Sequence, residues 1–173
     1  MTRGVIAARL VAAIEPTLAP LCLPSARCVA TTAIGVEVLA RFNIAAEPLT
    51  VALCVHDGSR RFRVPRHVVV RVPALAMLLD LDLQQCRRPD FWSANLPAAV
   101  ALDWHGTPAV YALSPDGPWL DYQPTPADQF WATWPDWTER ARWAAVVDAL
   151  VGAITSKAVV ALSAPTVAMG ARP

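Results

Sequence analysis

Cys28, His67 and an aspartate at Asp80 or Asp82 occur in an order that suits a thiol nucleophile. The thiolate, not the thiol, attacks carbon. A helix N-terminus and a neighbouring imidazolium both favour it, lowering a cysteine pKa into the range of about 3.5 to 7.5. The imidazole then carries the proton to a leaving group, and a carboxylate on its other nitrogen fixes ring orientation and tautomer. Asp80 and Asp82 are two residues apart, hence on one face if both are in a strand, and fall thirteen and fifteen residues after His67. Either separation suits adjacent antiparallel strands; Asp80 fits better because it closes the apolar run Leu78-Leu79.

The remaining candidates carry less chemistry. Cys54 alternates on a strand and is expected to be a small buried hydrophobe, as are Cys22 and Cys86. His56 and His105 sit beside glycine turns and receive no role. Cys22, Cys28, Cys54, His56 and His67 are soft or imidazole ligands, but no Cys-x-x-Cys or His-x-x-x-His spacing joins them, so neither a metal nor a cofactor is expected. Seven tryptophans lie between Trp92 and Trp143. Pro135 interrupts the helical spacing of Trp131, Trp134 and Trp137, so an aromatic cluster packed over a sheet is expected rather than a ligand cage.

The elements that must position Cys28, His67 and the acid follow from periodicity. Ile6, Leu10 and Ile14 form a four-residue stripe that predicts a helix over 3–14, ended by Pro16, with a loop through Pro16, Pro20 and Pro24. Ala30, Ala33, Ile34, Val38 and Leu39 predict a second helix from Ser25, its cap, which puts Cys28 in a first turn. After Asn43 the period changes to two: Val51, Leu53 and Val55 alternate with Ala52, Cys54 and His56 up to a turn at Asp57-Gly58. Phe62 to Val72 reads as the return strand carrying His67, and Ala76 to Leu83 as a third carrying both acids. Strands at 98–104, 108–113 and 119–122 continue a meander, and a helix from about Trp137 to Ile154 presents Ala141, Ala144, Ala145, Val147 and Leu150 as its apolar side. The fold class is therefore α+β: N-terminal helices packed on an antiparallel β-sheet, with a C-terminal helix.

Composition bounds what such a domain does. The 173 residues are 55% hydrophobic and 17% charged, which suits one folded domain over 1–162, with 163–173 a flexible tail. Fifteen basic and fourteen acidic side chains leave a net charge of +1, so nucleic acid is not an expected partner. Arg3 and Arg9 interrupt the first apolar run, and Asp148 and Lys157 the last, so neither a secretory signal nor a membrane span is expected and the reading is cytoplasmic. In that compartment the four cysteines stay reduced. The oligomeric state has no signature in the chain.

The run Ser-Ala-Arg-Cys28-Val-Ala-Thr-Thr-Ala, the segment from Ala46 to Val51, Arg66-His67-Val-Val-Val and Leu78-Leu79-Asp80-Leu81-Asp82 together resemble the transglutaminase-like group of papain-like cysteine enzymes. The resemblance spans roughly residues 25 to 85. It implies a cysteine opening a buried helix, a histidine on a following strand and an acid on the next. It also implies Cys28 as nucleophile, His67 as general base and Asp80 as orienting acid; the sequence offers no side-chain oxyanion donor, which leaves the Cys28 backbone amide to serve. The expected activity is cysteine-dependent acyl transfer or amide hydrolysis on a peptide or protein amide. The group also includes inactive members, so the alternative is a catalytically inactive copy serving as a protein-binding or assembly module, with the tryptophan-rich half as its contact region.

Overall fold

The stripe of Ile6, Leu10 and Ile14 extends one step further than proline placement predicts. In the computed structural model, which describes residues 1–19, 27–58, 60–86, 96–106, 109–113, 117–125 and 140–156, helix α1 runs Arg3–Leu18 with Pro16 inside it. Pro16 removes one helical N–H, yet Leu18 continues the buried stripe and the Ala19 N–H reaches the Glu15 carbonyl. Burial of one more leucine outweighs the missing bond, so the expected stop at Pro16 is corrected. The expected loop at Pro20 and Pro24, the Ser25 cap and Cys22 lie outside the described residues.

Helix α2 covers Arg27–Arg41. It buries Cys28, Val29, Ala33, Ile34, Val38 and Leu39. It ends because Asn43 adopts a left-handed conformation (φ 55°). The Ile44 and Asn43 N–H groups donate to the Leu39 and Ala40 carbonyls at 3.0 Å each, closing the helix in a Schellman turn with Ile44 packed in the same core as Leu39. The chain is thereby aimed into the sheet.

Six antiparallel strands follow: β1 (Glu47–Asp57), β2 (Arg60–Val72), β3 (Met77–Asp80), β4 (Val100–Asp103), β5 (Ala109–Ala112) and β6 (Trp119–Pro124). Their order is β4-β3-β2-β1-β6-β5. The expected meander holds for the first four strands only. The β5–β6 hairpin crosses to the other side and pairs β6 with the free edge of β1, which lets Leu120 and Tyr122 enter the core beside Leu53 and Val55. Strand β3 is shorter than the expected span, ending at Asp80, so Asp82 lies beyond the strand rather than on its face.

Each face of the sheet carries a core. On one, Val70, Val72, Leu79 and Leu81 pack against α1, α2 and the last helix, α3 (Arg140–Thr155). On the other, Val51, Leu53, Val55, Val69, Leu78 and Tyr122 pack with Leu83, Leu96 and Trp104. With both faces covered, Thr50 to Val55 are buried without alternation, and Cys54 is buried as expected. Helix α3 is held by Val146, Val147, Leu150 and Ile154, while Ala144 and Ala145 of the expected apolar side are exposed. Residues 137–139, Trp92, Trp131, Trp134 and the 163–173 tail lie outside the described residues. Among the described residues, no helix is long and apolar enough to cross a membrane.

Gly35 sets how closely α2 approaches the sheet. A Cβ there collides with Leu81 Cδ1 and comes within 3.1 Å of Val70 Cγ2. Cys28 is seven residues earlier, two turns or roughly 10 Å along the same helix face, so this contact also sets the seat of the thiol. Gly35→Ala gains about 1 kcal/mol of helix propensity but meets an overpacking cost of about 1–3 kcal/mol. Urea unfolding should show a net loss of up to about 2 kcal/mol; an unchanged or raised midpoint would mean that Leu81 moves aside without cost.

Candidate active site

Cys28 is the second residue of α2 and only 5% exposed. It packs with Val29 against Val68 of β2. Two threonines of the following turn fasten this region. The Thr31 hydroxyl donates to the Cys28 carbonyl at 3.2 Å, and the Thr32 hydroxyl donates to the Val68 carbonyl at 3.0 Å, tying the start of α2 to β2.

His67 is placed by an irregularity in the strand that carries it. Val51 lies opposite His67 while Leu53 lies opposite Val64, so Pro65 and Arg66 together face Ala52 in a β-bulge. Proline belongs at such a point because it has no N–H to give to a ladder, and bulges re-aim neighbouring side chains. Beyond the bulge, β3 flanks β2 only over Val70–Val72. Among the described residues β2 has no β3 partner at His67, and the Cys28 side chain, in the first turn of α2, interacts with the ring.

The other side of the ring meets Asp80, the last residue of β3. His67 Nε2 donates to Asp80 Oδ2 at 2.7 Å, and both side chains are fully buried. The same Asp80 oxygen accepts from the Tyr122 hydroxyl at 2.8 Å, and Oδ1 accepts the Asp82 N–H at 3.1 Å. A buried carboxyl group with three donors is satisfied and held in one orientation.

Burial alone would lower the His67 pKa. The Asp80 charge, its hydrogen bond and the Cys28 side chain outweigh that effect and push it up to about 10. The ring is therefore an imidazolium at neutral pH, caught between a carboxylate and a sulfur.

Cys28, His67 and Asp80 are thus brought into one chain of contacts. Asp82, the alternative acid, is buried and reaches this chain through its backbone N–H. Tyr122 is a member that sequence reading misses: it lies 42 residues from Asp80, on a strand whose pairing with β1 has no local signal. The one hint is that a tyrosine in an apolar strand must find a partner for its hydroxyl. Of the residues weighed as metal ligands, Cys28 and His67 are in this chain of contacts, whereas Cys54 and His56 converge elsewhere with Asp121.

No family model matches the chain, and no curated protein matches it. Among solved structures, the crystal structure of genomics APC5867 is similar, with a TM-score of 0.58 and 12% identity over 88% of this chain and 79% of that one. At that identity the likeness concerns the fold alone.

Because the unfolded ring loses its proton near 6.5 and the folded one near 10, the native state binds the extra proton between these values. The stabilisation from charged His67 is complete below about pH 6.5 and is lost as the pH rises toward about 10. Ring ¹⁵N NMR at pH 8 should show both nitrogens of His67 protonated, and Asp80→Asn should remove that signature. Tyr122→Phe should cost about 1.5–3 kcal/mol, the range for a hydrogen bond to a charged group. A His67 ring that is neutral at pH 8 in the unaltered protein would contradict this electrostatic assignment.

Proposed function

We propose that the chain is a cysteine-dependent enzyme of acyl transfer or amide hydrolysis, built on a transglutaminase-like core. Cys28 is the nucleophile, His67 the general acid and base, and Asp80 the orienting acid. The observation that carries this reading is the buried His67 ring joining the Cys28 sulfur side to the Asp80 carboxylate. The chain order also supports it: the cysteine opens a helix, the histidine lies on a following strand, and the acid ends the next.

The chemistry follows from the charge states. His67 as imidazolium and the first turn of α2 both favour the Cys28 thiolate. The sulfur forms a bond to the acyl carbon, and the carbonyl electron pair moves onto oxygen. A first helical turn favours negative charge, and the Cys28 amide is the donor assigned to that oxyanion. As the carbon–nitrogen bond breaks, His67 gives a ring proton to the leaving amine, and a thioester remains on Cys28. Water or a second amine then attacks the thioester carbon, His67 takes the proton from it, and the sulfur leaves again as thiolate. Asp80 acts only on the ring, holding its orientation. The substrate class is a peptide or protein amide.

A second reading is an inactive copy of the same fold that acts as a binding or assembly module. It is favoured by the burial of the three side chains, since a satisfied buried polar network also specifies a core without catalysing anything. Reactivity separates the two. At about pH 6.5, ordinary thiols with pKa near ~8.5 are about 99% protonated, so iodoacetamide should label Cys28 first among the four cysteines. His67→Ala should slow this labelling at least several-fold while circular dichroism stays native. Equal, slow labelling in both proteins, or complete protection of Cys28, would defeat the enzyme reading.

A further inference from the structure

The pairing of β1 with β6 gathers a second set of chemically capable side chains on the opposite face of the sheet. Cys54 lies directly opposite Asp121, and His56 opposite Trp119. Cys54 and His56 are two apart on β1, hence on one face, whereas Val51 and Val55 point into the core that Tyr122 and Val69 share. Since His67 pairs with Val51, this second cluster is three to five residues along the strand from it, roughly 10–17 Å away.

We propose that Cys54, His56 and Asp121 form a binding site for one transition-metal ion of the zinc class, separate from the Cys28 site. The Cys54 sulfur, one His56 ring nitrogen and one Asp121 oxygen all lie within 4.8 Å of one another. Tetrahedral zinc, with bonds of about 2.0–2.3 Å, holds its ligand atoms roughly 3.5 Å apart, so closing the set takes a contraction of about 1 Å. That is within the reach of small side-chain rotations.

The surroundings suit this assignment. The His56 ring is stacked on Trp119, with centroids 3.4 Å apart and planes 7° from parallel, which fixes its orientation. Its Nε2 is buried and, among the described residues, has no hydrogen-bond partner. A lone nitrogen held in that way is costly unless a ligand uses it. Asp121 is oriented in turn by Gln123, whose Nε2 donates to Oδ2 at 2.9 Å. Thiolate with imidazole and carboxylate is a donor set for zinc-class ions, whereas calcium and magnesium take oxygen alone. The two anionic ligands balance a divalent ion, and three protein ligands leave the fourth position open. Binding releases the Cys54 thiol proton to solvent.

Arg61 supplies a competitor. Its exposed guanidinium donates to Cys54 Sγ at 3.6 Å and so holds positive charge beside the sulfur. An incoming ion displaces it, and the long side chain is free to swing into solvent.

The test uses the full chain titrated with Co²⁺, read by thiolate-to-metal absorption, and with Zn²⁺ in competition. One equivalent of Co²⁺ should bind with a sulfur charge-transfer band that survives in Cys28→Ser and is absent in Cys54→Ala. Asp121→Asn should weaken binding at least about tenfold, and Arg61→Ala should tighten it several-fold by removing the competing cation. The last two changes are near the surface and decide the matter even if Cys54→Ala fails to fold. Absence of the band, its loss in Cys28→Ser, or affinities unmoved by both Asp121→Asn and Arg61→Ala would overturn the site.

Discussion

The bond between His67 Nε2 and Asp80 Oδ2 governs the centre of this molecule. At 2.7 Å and fully buried, it places an imidazolium and a carboxylate where neither is stable alone. Tyr122 and the Asp82 backbone complete the carboxylate, and the Cys28 side chain meets the remaining face of the ring. Removing one partner of such a buried pair costs about 3–5 kcal/mol, so the elements that supply the partners are bound to one another through it.

Those elements are distant in sequence and arrive by different means. Helix α2 is brought down onto β2 at Gly35, and its second turn is fastened by Thr32 to the Val68 carbonyl. The bulge at Pro65 and Arg66 turns His67 toward the uncovered edge of β2, and β3 stops at the residue that must reach it. The β5–β6 hairpin crosses the sheet and delivers Tyr122 to the same carboxylate. Two cores on opposite faces then exclude water from the pair, which strengthens its electrostatics and raises the price of any gap.

Much of this is legible in the chain before any coordinates. Cys28 follows a proline-rich stretch and begins a helical period; His67 precedes three valines; Asp80 closes a pair of leucines. Each is a local signal, and each names its element correctly. What is not legible is long-range. Pro16 reads as a stop until the burial of Leu18 is known. The partnership of Tyr122 with Asp80, and of Cys54 with Asp121, depends on β6 pairing with β1 rather than continuing the meander. No spacing within either strand announces that choice.

The most direct measurement is the titration of the Cys28 thiolate itself, followed by its ultraviolet absorbance in protein whose other three cysteines are serine. Beside a charged His67 the thiolate should form well below the ordinary thiol value of ~8.5, and Asp80→Asn should move the titration upward by weakening the imidazolium. A Cys28 that deprotonates at ~8.5 or above, with no response to Asp80→Asn, would contradict a thiol held in its reactive form by this buried pair.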